Sequence, residues 1–182
     1  MIIFKIMTRW ELIEKFIFEN GYKKIAEIGV AEGGMAKRVI EKCTGALDCY
    51  IMVDYLITKR LYAVLLETDL PGYLETEYQK NPIVLMRMDS IKASEIIANE
   101  SLDLVFIDCQ HEYEYVKKDI KAWLPKVKKG GIISGHDYNP KELYVPGFNG
   151  VGRAVNEEIE EINLEHDDAE PDGNNNVWWK KV

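Results

Sequence analysis

Short, largely apolar runs alternate along this chain with longer segments in which apolar residues return every third or fourth position. The first helical segment opens on Thr8-Arg9-Trp10-Glu11, a hydroxyl with a carboxylate three residues on, which is capping-box spacing. It should stop at Asn20-Gly21, a C-cap signal. Lys24 to Gly29 (KIAEIG) then predicts a strand ending in glycine, and Gly33 to Cys43 a helix. Asp48 to Asp54 (DCYIMVD) predicts a second strand, residues 55–80 helical structure broken at Pro71-Gly72, and Pro82 to Asp89 a third strand. Ile91 to Asn99 has helical spacing. Leu102 to Asp108 (LDLVFID) is almost continuously apolar, as expected of a strand buried on both faces. Tyr113 to Leu124 predicts a helix stopped by Pro125, and Gly130 to Gly135 a fifth strand. In the tail, Gly150 to Ile162 has helical spacing, HDDAEPDGNNN is a polar turn and NVWWKKV a last strand, so two closing strands could pair as a hairpin.

Strands alternating with helices predict an α/β fold, a parallel sheet covered by helices on both faces. The 182 residues fit a single domain, 1–182, with one core. The formal net charge of -8 disfavours nucleic acid and anionic membrane as partners, since both would repel the protein. No apolar stretch approaches the ~20 residues that span a bilayer, and Ile2 to Phe4 is too short for a signal-peptide core. Cys43, Cys49 and Cys109 have neither disulfide nor zinc-ribbon spacing. The expectation is a reduced, cytoplasmic protein.

The first candidate site is AEIGVAEGG. Glu27 ends a strand, Gly29 begins the turn, and Gly33-Gly34 opens a helix whose N-terminus offers free N–H groups. The spacing is not G-x-G-x-x-G, so a dinucleotide pyrophosphate is less well served. Asp54 lies 21 residues after Gly33, at the end of the second strand, where a carboxylate can accept ribose hydroxyls. Asp89 and Ser90 end the third strand in the same way and could meet the edge of adenine. Two Asp/His pairs, Asp108 with His111 and His136 with Asp137, flank the helix at Tyr113.

AEIGVAEGG, VDY, MDS, FIDCQHEY and GGIISGHDY together resemble the class I S-adenosylmethionine (SAM) methyltransferases. Within that class the chain is similar to the small-molecule and sugar O-methyltransferases with a D-x-x-H-x-Y motif on strand 4. The resemblance runs from about Lys24 to Ala154. It implies a Rossmann-like three-layer sandwich with a seven-stranded sheet in the order 3-2-1-4-5-7-6, strand 7 antiparallel. It further implies that Glu27, Gly29 and Gly33 wrap the methionine and ribose part of SAM, that Asp54 holds the ribose, and that Asp89 and Ser90 hold adenine. Asp108 would face the same crevice, at the point where strand order reverses.

Methyl transfer to oxygen needs alignment and a deprotonated nucleophile. In metal-dependent relatives, carboxylates matching Asp108 and Asp137 bind magnesium, and the residue matching His111 is the base. This chain therefore carries a candidate metal set, Asp108, His136 and Asp137, for magnesium or manganese. It also carries a candidate catalytic pair, His111 and Asp108. Histidine at 136 departs from the relatives' acidic ligand and suits a softer ion than magnesium. The expected reaction is O-methylation of a small-molecule hydroxyl, of a sugar or polyketide-like kind. A non-catalytic SAM- or nucleotide-binding module, an NAD-linked oxidoreductase and a metal-dependent enzyme built on Asp108, His111, His136 and Asp137 are the alternatives. The loop from Asn139 to Gly150, with Tyr144 and Asn149, could select the acceptor. An outward-facing Trp178 or Trp179 would mark a homodimer contact.

Overall fold

In the computed structural model, residues 7–56, 59, 83–140, 150–169 and 176–182 are described. They form a seven-stranded sheet in the order β3-β2-β1-β4-β5-β7-β6. The strands are β1 (Lys24–Ile28), β2 (Cys49–Val53), β3 (Ile83–Met86), β4 (Leu102–Ile107), β5 (Val127–Tyr138), β6 (Asn163–His166) and β7 (Asn176–Lys181). The helices are α1 (Arg9–Asn20), α2 (Gly34–Cys43), α3 (Ser90–Ile96), α4 (Tyr113–Trp123) and α5 (Val151–Glu158). Strands β1 to β5 pair in parallel, while β7 runs antiparallel to both β5 and β6. The fold class and strand order are those expected from the sequence.

The local signals act where they were expected. Thr8 caps α1, its backbone N–H donating to Glu11 Oε2 at 2.8 Å, and Gly21 ends the helix at φ 67°. The sheet separates two cores because successive side chains of a strand point to opposite faces. Leu104 and Phe106 of β4 pack with Leu12, Phe16, Val39 and Ile40 of α1 and α2. Val105 and Ile107 pack with Val116, Ile120, Trp123 and Val155 of α4 and α5.

The tail corrects three expectations. The fifth strand, expected over Gly130 to Gly135, runs from Val127 to Tyr138, with Val127 buried and Lys128 paired with Asp103 at 2.7 Å. The helix expected over residues 150–162 ends at Glu158, because the chain must turn to place β6 beside β7. Trp178 is fully buried on one face of β7, and Trp179, partly buried, packs on Phe16 on the other, the ring centroids 5.1 Å apart and the planes tilted by 60°. Helices cover both faces, so alternation sends each ring into a core. The break at Pro71-Gly72 and the loop residues Tyr144 and Asn149 lie outside the described residues. Among the described residues no helix is long and apolar enough to cross a membrane.

The C-terminal ends of β1 and β4 meet closely. Gly29 follows β1 at φ +88°, and a Cβ there would lie 2.2 Å from the Asp108 carbonyl oxygen. Gly34, at the start of α2, has open space around its missing Cβ. Gly29→Ala should therefore lose about 2–4 kcal/mol, combining a left-handed backbone with a backbone clash. Gly34→Ala should gain up to ~1 kcal/mol from helix propensity. Urea denaturation of the two variants checks the opposite signs.

Candidate active site

The site is built on the loops that leave β1, β2 and β4 and on the C-terminal end of β5, which carries His136 and Asp137. Gly29 N–H donates to Val53 O at 2.9 Å and Asp108 N–H to Ile28 O at 2.7 Å, so the ladder continues past the strand ends into the loops. Asp54 ends β2 and turns back on the glycine loop. Its Oδ2 accepts from Val30 and Ala31 N–H at 2.9 and 2.8 Å, and its Oδ1 accepts from Leu56 N–H at 2.7 Å. Ala31 stands at φ 49°, so two successive N–H groups converge on one carboxylate oxygen, the geometry of an anion nest.

Glu27 is 3% exposed and its partner is Tyr50, whose hydroxyl donates to Oε2. Burial pushes the Glu27 carboxyl up to about 8, against the lowering effect of that hydrogen bond. The two residues expected at adenine serve the helices in this structure. Asp89 caps α3, Oδ1 accepting from Ile91 N–H at 3.0 Å and Lys92 N–H at 3.2 Å. The Ser90 hydroxyl donates to buried Asp119 of α4.

The Asp/His residues come together as expected, and in a definite order. His111 Nε2 lies 2.9 Å from Asp137 Oδ2 and 3.9 Å from Asp108 Oδ1. His136 Nδ1 lies 3.3 Å from Asp137 Oδ2 and 4.0 Å from Asp108 Oδ1. The far nitrogen of His136 lies 3.0 Å from Asp167 Oδ2, and Asp167 in turn holds Arg9 Nη1 at 2.9 Å. The result is a row of contacts, Arg9–Asp167–His136–Asp137–His111, with Asp108 beside both histidines. His111 is accessible, its side chain 48% exposed, whereas His136 and Asp167 are buried. Gly150 N–H donates to the His111 carbonyl at 2.6 Å and steadies the turn that carries it.

Each protonation state follows from these neighbours. Burial disfavours the His136 cation, but Asp137 and Asp167 overcome it and hold the imidazole up to about 9. Burial also opposes the Asp137 charge, and the two histidines outweigh it and keep that carboxyl well below the usual carboxylate range. The Asp137 hydrogen bond raises His111. Asp108 is raised, by burial first, with repulsion from Asp137 adding to it.

Among the described residues, Asp108, His111 and Asp137 form the group able to hold a metal, with one ligand atom from each and all within 4.8 Å. Oxygen and imidazole donors at this spacing fit a divalent ion. His136, expected among the ligands, is adjacent but committed to Asp167 and Asp137, while His111 takes the place expected of it. Asp167 was hidden from the sequence reading, where HDD looked like a polar turn. Its partner Arg9 stood out only as part of the capping stretch that opens α1. Tyr50 carried no signal beyond its place in an apolar run.

A family model described as a methyltransferase domain matches residues 26–138. A solved structure of a provisionally assigned O-methyltransferase from Klebsiella pneumoniae aligns over 99% of this chain and 82% of its own, with TM-score 0.70 and 12% identity. The N-methyltransferase NodS from Bradyrhizobium japonicum aligns over 94% of this chain and 92% of its own, with TM-score 0.64 and 14% identity. At these identities the two structures speak for the fold alone. An uncharacterised protein of Sinorhizobium fredii is 33% identical over 58 residues, 32% of this chain. The chain spans only 6% of the length of that curated relative.

The charge chain has a definite pH signature. A histidine raised from 6.5 to about 9 contributes stability that is full below pH 6.5 and lost as pH rises through 9. Asp167, held down to about 2 by His136, Ala169 N–H and Arg9 against the effect of burial, contributes above its unfolded value of 3.8 and loses that contribution as pH falls through 2. The stability gap between wild type and His136→Gln should thus be widest near pH 6 and shrink by roughly 2–3 kcal/mol towards pH 9.5. Urea midpoints across that range check it; a gap that stays constant contradicts the assignment.

Proposed function

The chain belongs to this methyltransferase-domain family, and on that premise we propose that it transfers the methyl group of SAM to a hydroxyl oxygen of a small molecule, with His111 as the base. The observation that carries the reading is the His111–Asp137 pair, 2.9 Å apart and open to solvent on the His111 side, next to the turn where Gly29 packs on Asp108. The acceptor would be a sugar or polyketide-like hydroxyl, and the protein's acidity argues against nucleic acid or anionic membrane as its partner.

The chemistry is an in-line displacement. The acceptor oxygen attacks the methyl carbon, the carbon–sulfur bond breaks, and sulfur keeps the electron pair as the neutral thioether of S-adenosylhomocysteine. The hydroxyl proton must leave as the new bond forms. His111 Nε2 is turned to Asp137, so Nδ1 is the nitrogen left to take that proton. Asp137 fixes the imidazole and stabilises its cation, and Asp108 adds a carboxylate 3.9 Å away to orient the acceptor hydroxyl. Glu27, neutral when buried alone with Tyr50, would ionise more readily beside the ammonium of the methionine moiety.

The cofactor reading also rests on what the glycine loop rejects. Its nest is filled by the chain's own Asp54 carboxylate, which repels a phosphate and removes the N–H groups a pyrophosphate needs. This favours a phosphate-free nucleoside such as SAM over NAD.

A second use of the site is favoured by the grouping of Asp108, His111 and Asp137. A divalent ion held by them would stabilise the acceptor oxyanion. Ligation through His111 excludes its use as the base, so the two readings separate by experiment.

Calorimetry with metal-free protein should give micromolar binding of S-adenosylhomocysteine and none of NAD. An acceptor screen with methyl-labelled SAM should then find transfer that His111→Ala slows by about 10²–10⁴-fold, with cofactor affinity kept. Under the base reading, chelation leaves the rate intact; under the metal reading, it abolishes the rate. No binding of S-adenosylhomocysteine sinks both readings.

A further inference from the structure

Successive side chains of a strand normally point to opposite faces. His136 and Asp137 are successive residues of β5, yet both reach the group around Asp108. The pairing with β7 gives the reason. Gly135 pairs with Trp178 and Tyr138 with Asn176, so His136 and Asp137 stand together opposite Val177. Two residues against one make a β-bulge, a device that re-aims side chains. Asp137 takes up the extra residue at φ 57°, a left-handed conformation that a non-glycine residue keeps only under restraint.

Two imidazoles meet its carboxylate. Asp137 Oδ2 lies 2.9 Å from His111 Nε2 and 3.3 Å from His136 Nδ1. His136 thus helps set the direction of the carboxylate, and the carboxylate sets which edge of the His111 ring faces inward. His136 is itself buried, and its other nitrogen, Nε2, lies 3.0 Å from Asp167 Oδ2.

Asp167 is fully buried and fixed from several directions. Its Oδ1 accepts from Arg9 N–H at 3.0 Å and Ala169 N–H at 2.9 Å, and its Oδ2 accepts from Arg9 Nη1 at 2.9 Å. With His136 Nε2 these contacts fill the positions, about four, that a carboxylate offers. Two of the donors are backbone groups, so the carboxylate cannot swing without breaking bonds to the start of α1 and to the turn at Ala169.

We propose that Asp167 is a positioning residue for the candidate base: through His136 and Asp137 it holds the His111 imidazole with Nε2 turned inward and Nδ1 towards the acceptor. This rests on the reading of His111 as the base. It gives His136 a role other than metal ligand, and it makes the first turn of α1 and the turn after β6 parts of the site.

The test is a double-mutant cycle on Asp167→Asn and His136→Gln, read at His111. The chain has three histidines, so nitrogen NMR of the imidazoles resolves each of them in metal-free protein. At a fixed pH at which the His111 ring is neutral, the wild-type ring should carry its proton on Nε2. Asp167→Asn should lower the ratio of the Nε2–H to the Nδ1–H tautomer by roughly three- to tenfold, and His136→Gln should do the same. The double variant should show no further loss, because Asp167 acts through His136. An unchanged ratio in Asp167→Asn overturns the proposal, as do losses that add in the double variant. Should Asp167→Asn fail to fold, Arg9→Ala takes its place in the cycle with the same expectations, since it leaves both backbone donors on Asp167. With an acceptor in hand, Asp167→Asn should lower kcat by roughly 10–100-fold with KM for SAM kept, and an unchanged kcat overturns the proposal. Should S-adenosylhomocysteine fail to bind, the SAM reading fails, and the tautomer cycle, which needs neither cofactor nor acceptor, still decides whether Asp167 positions His111.

Discussion

Gly29 has no side chain because the backbone of Asp108 occupies the space a side chain would need. A Cβ at Gly29 would sit 2.2 Å from the Asp108 carbonyl oxygen. This contact joins the turn after β1 to the end of β4 at the place where the order of the sheet reverses, and ligands of open α/β sheets bind beyond such strand ends. It puts the glycine loop beside the Asp108–His111 turn with no adjustable segment between them. Asp54 then ties the loop to β2, and Asp137 ties His111 to β5. The parts of the proposed transfer site are thus held together by backbone packing at Gly29 and by the Asp54 and Asp137 side chains.

The charged residues add a second kind of order. Arg9, Asp167, His136 and Asp137 alternate in sign, and the His111 imidazole turns Nε2 to Asp137 at the end of the row. Burying such groups singly would be costly, and pairing is what makes their burial tolerable. Arg9 reaches Asp167 across 158 residues of chain, with both its backbone N–H and its guanidinium. The first turn of α1 is therefore tied to the same network that orients the candidate base.

The sheet was legible because its signals are local. Strands β1 to β4 are short apolar runs closed by a turn residue, and α1, α3 and α4 have a cap or a stop beside them. The Asp/His residues were legible for the same reason, since they sit directly at strand ends. Contacts set by distant residues left no local mark. Val127 belongs to β5 because it pairs with Leu102 of β4, and Trp179 packs on Phe16 of α1, partners far away in sequence in both cases. Asp167 looked like one more acidic residue in a turn, and only the partners Arg9 and His136 give it a role. Ser90 and Asp54 were placed at the correct strand ends, but their hydrogen bonds depend on which loop folds over them. The atom that is methylated is a finer property still. An O-methyltransferase-like and an N-methyltransferase fold both superpose on this chain, so the acceptor must be argued from His111 and its neighbours.

The most direct test of the account is a crystal structure of the protein with S-adenosylhomocysteine. The account predicts the ligand in the crevice beyond β1 and β4, its ribose beside Asp54 and its sulfur facing the His111 imidazole across a gap wide enough for a methyl group and a hydroxyl. A ligand seated away from Gly29, or one whose sulfur faces away from His111, would contradict it.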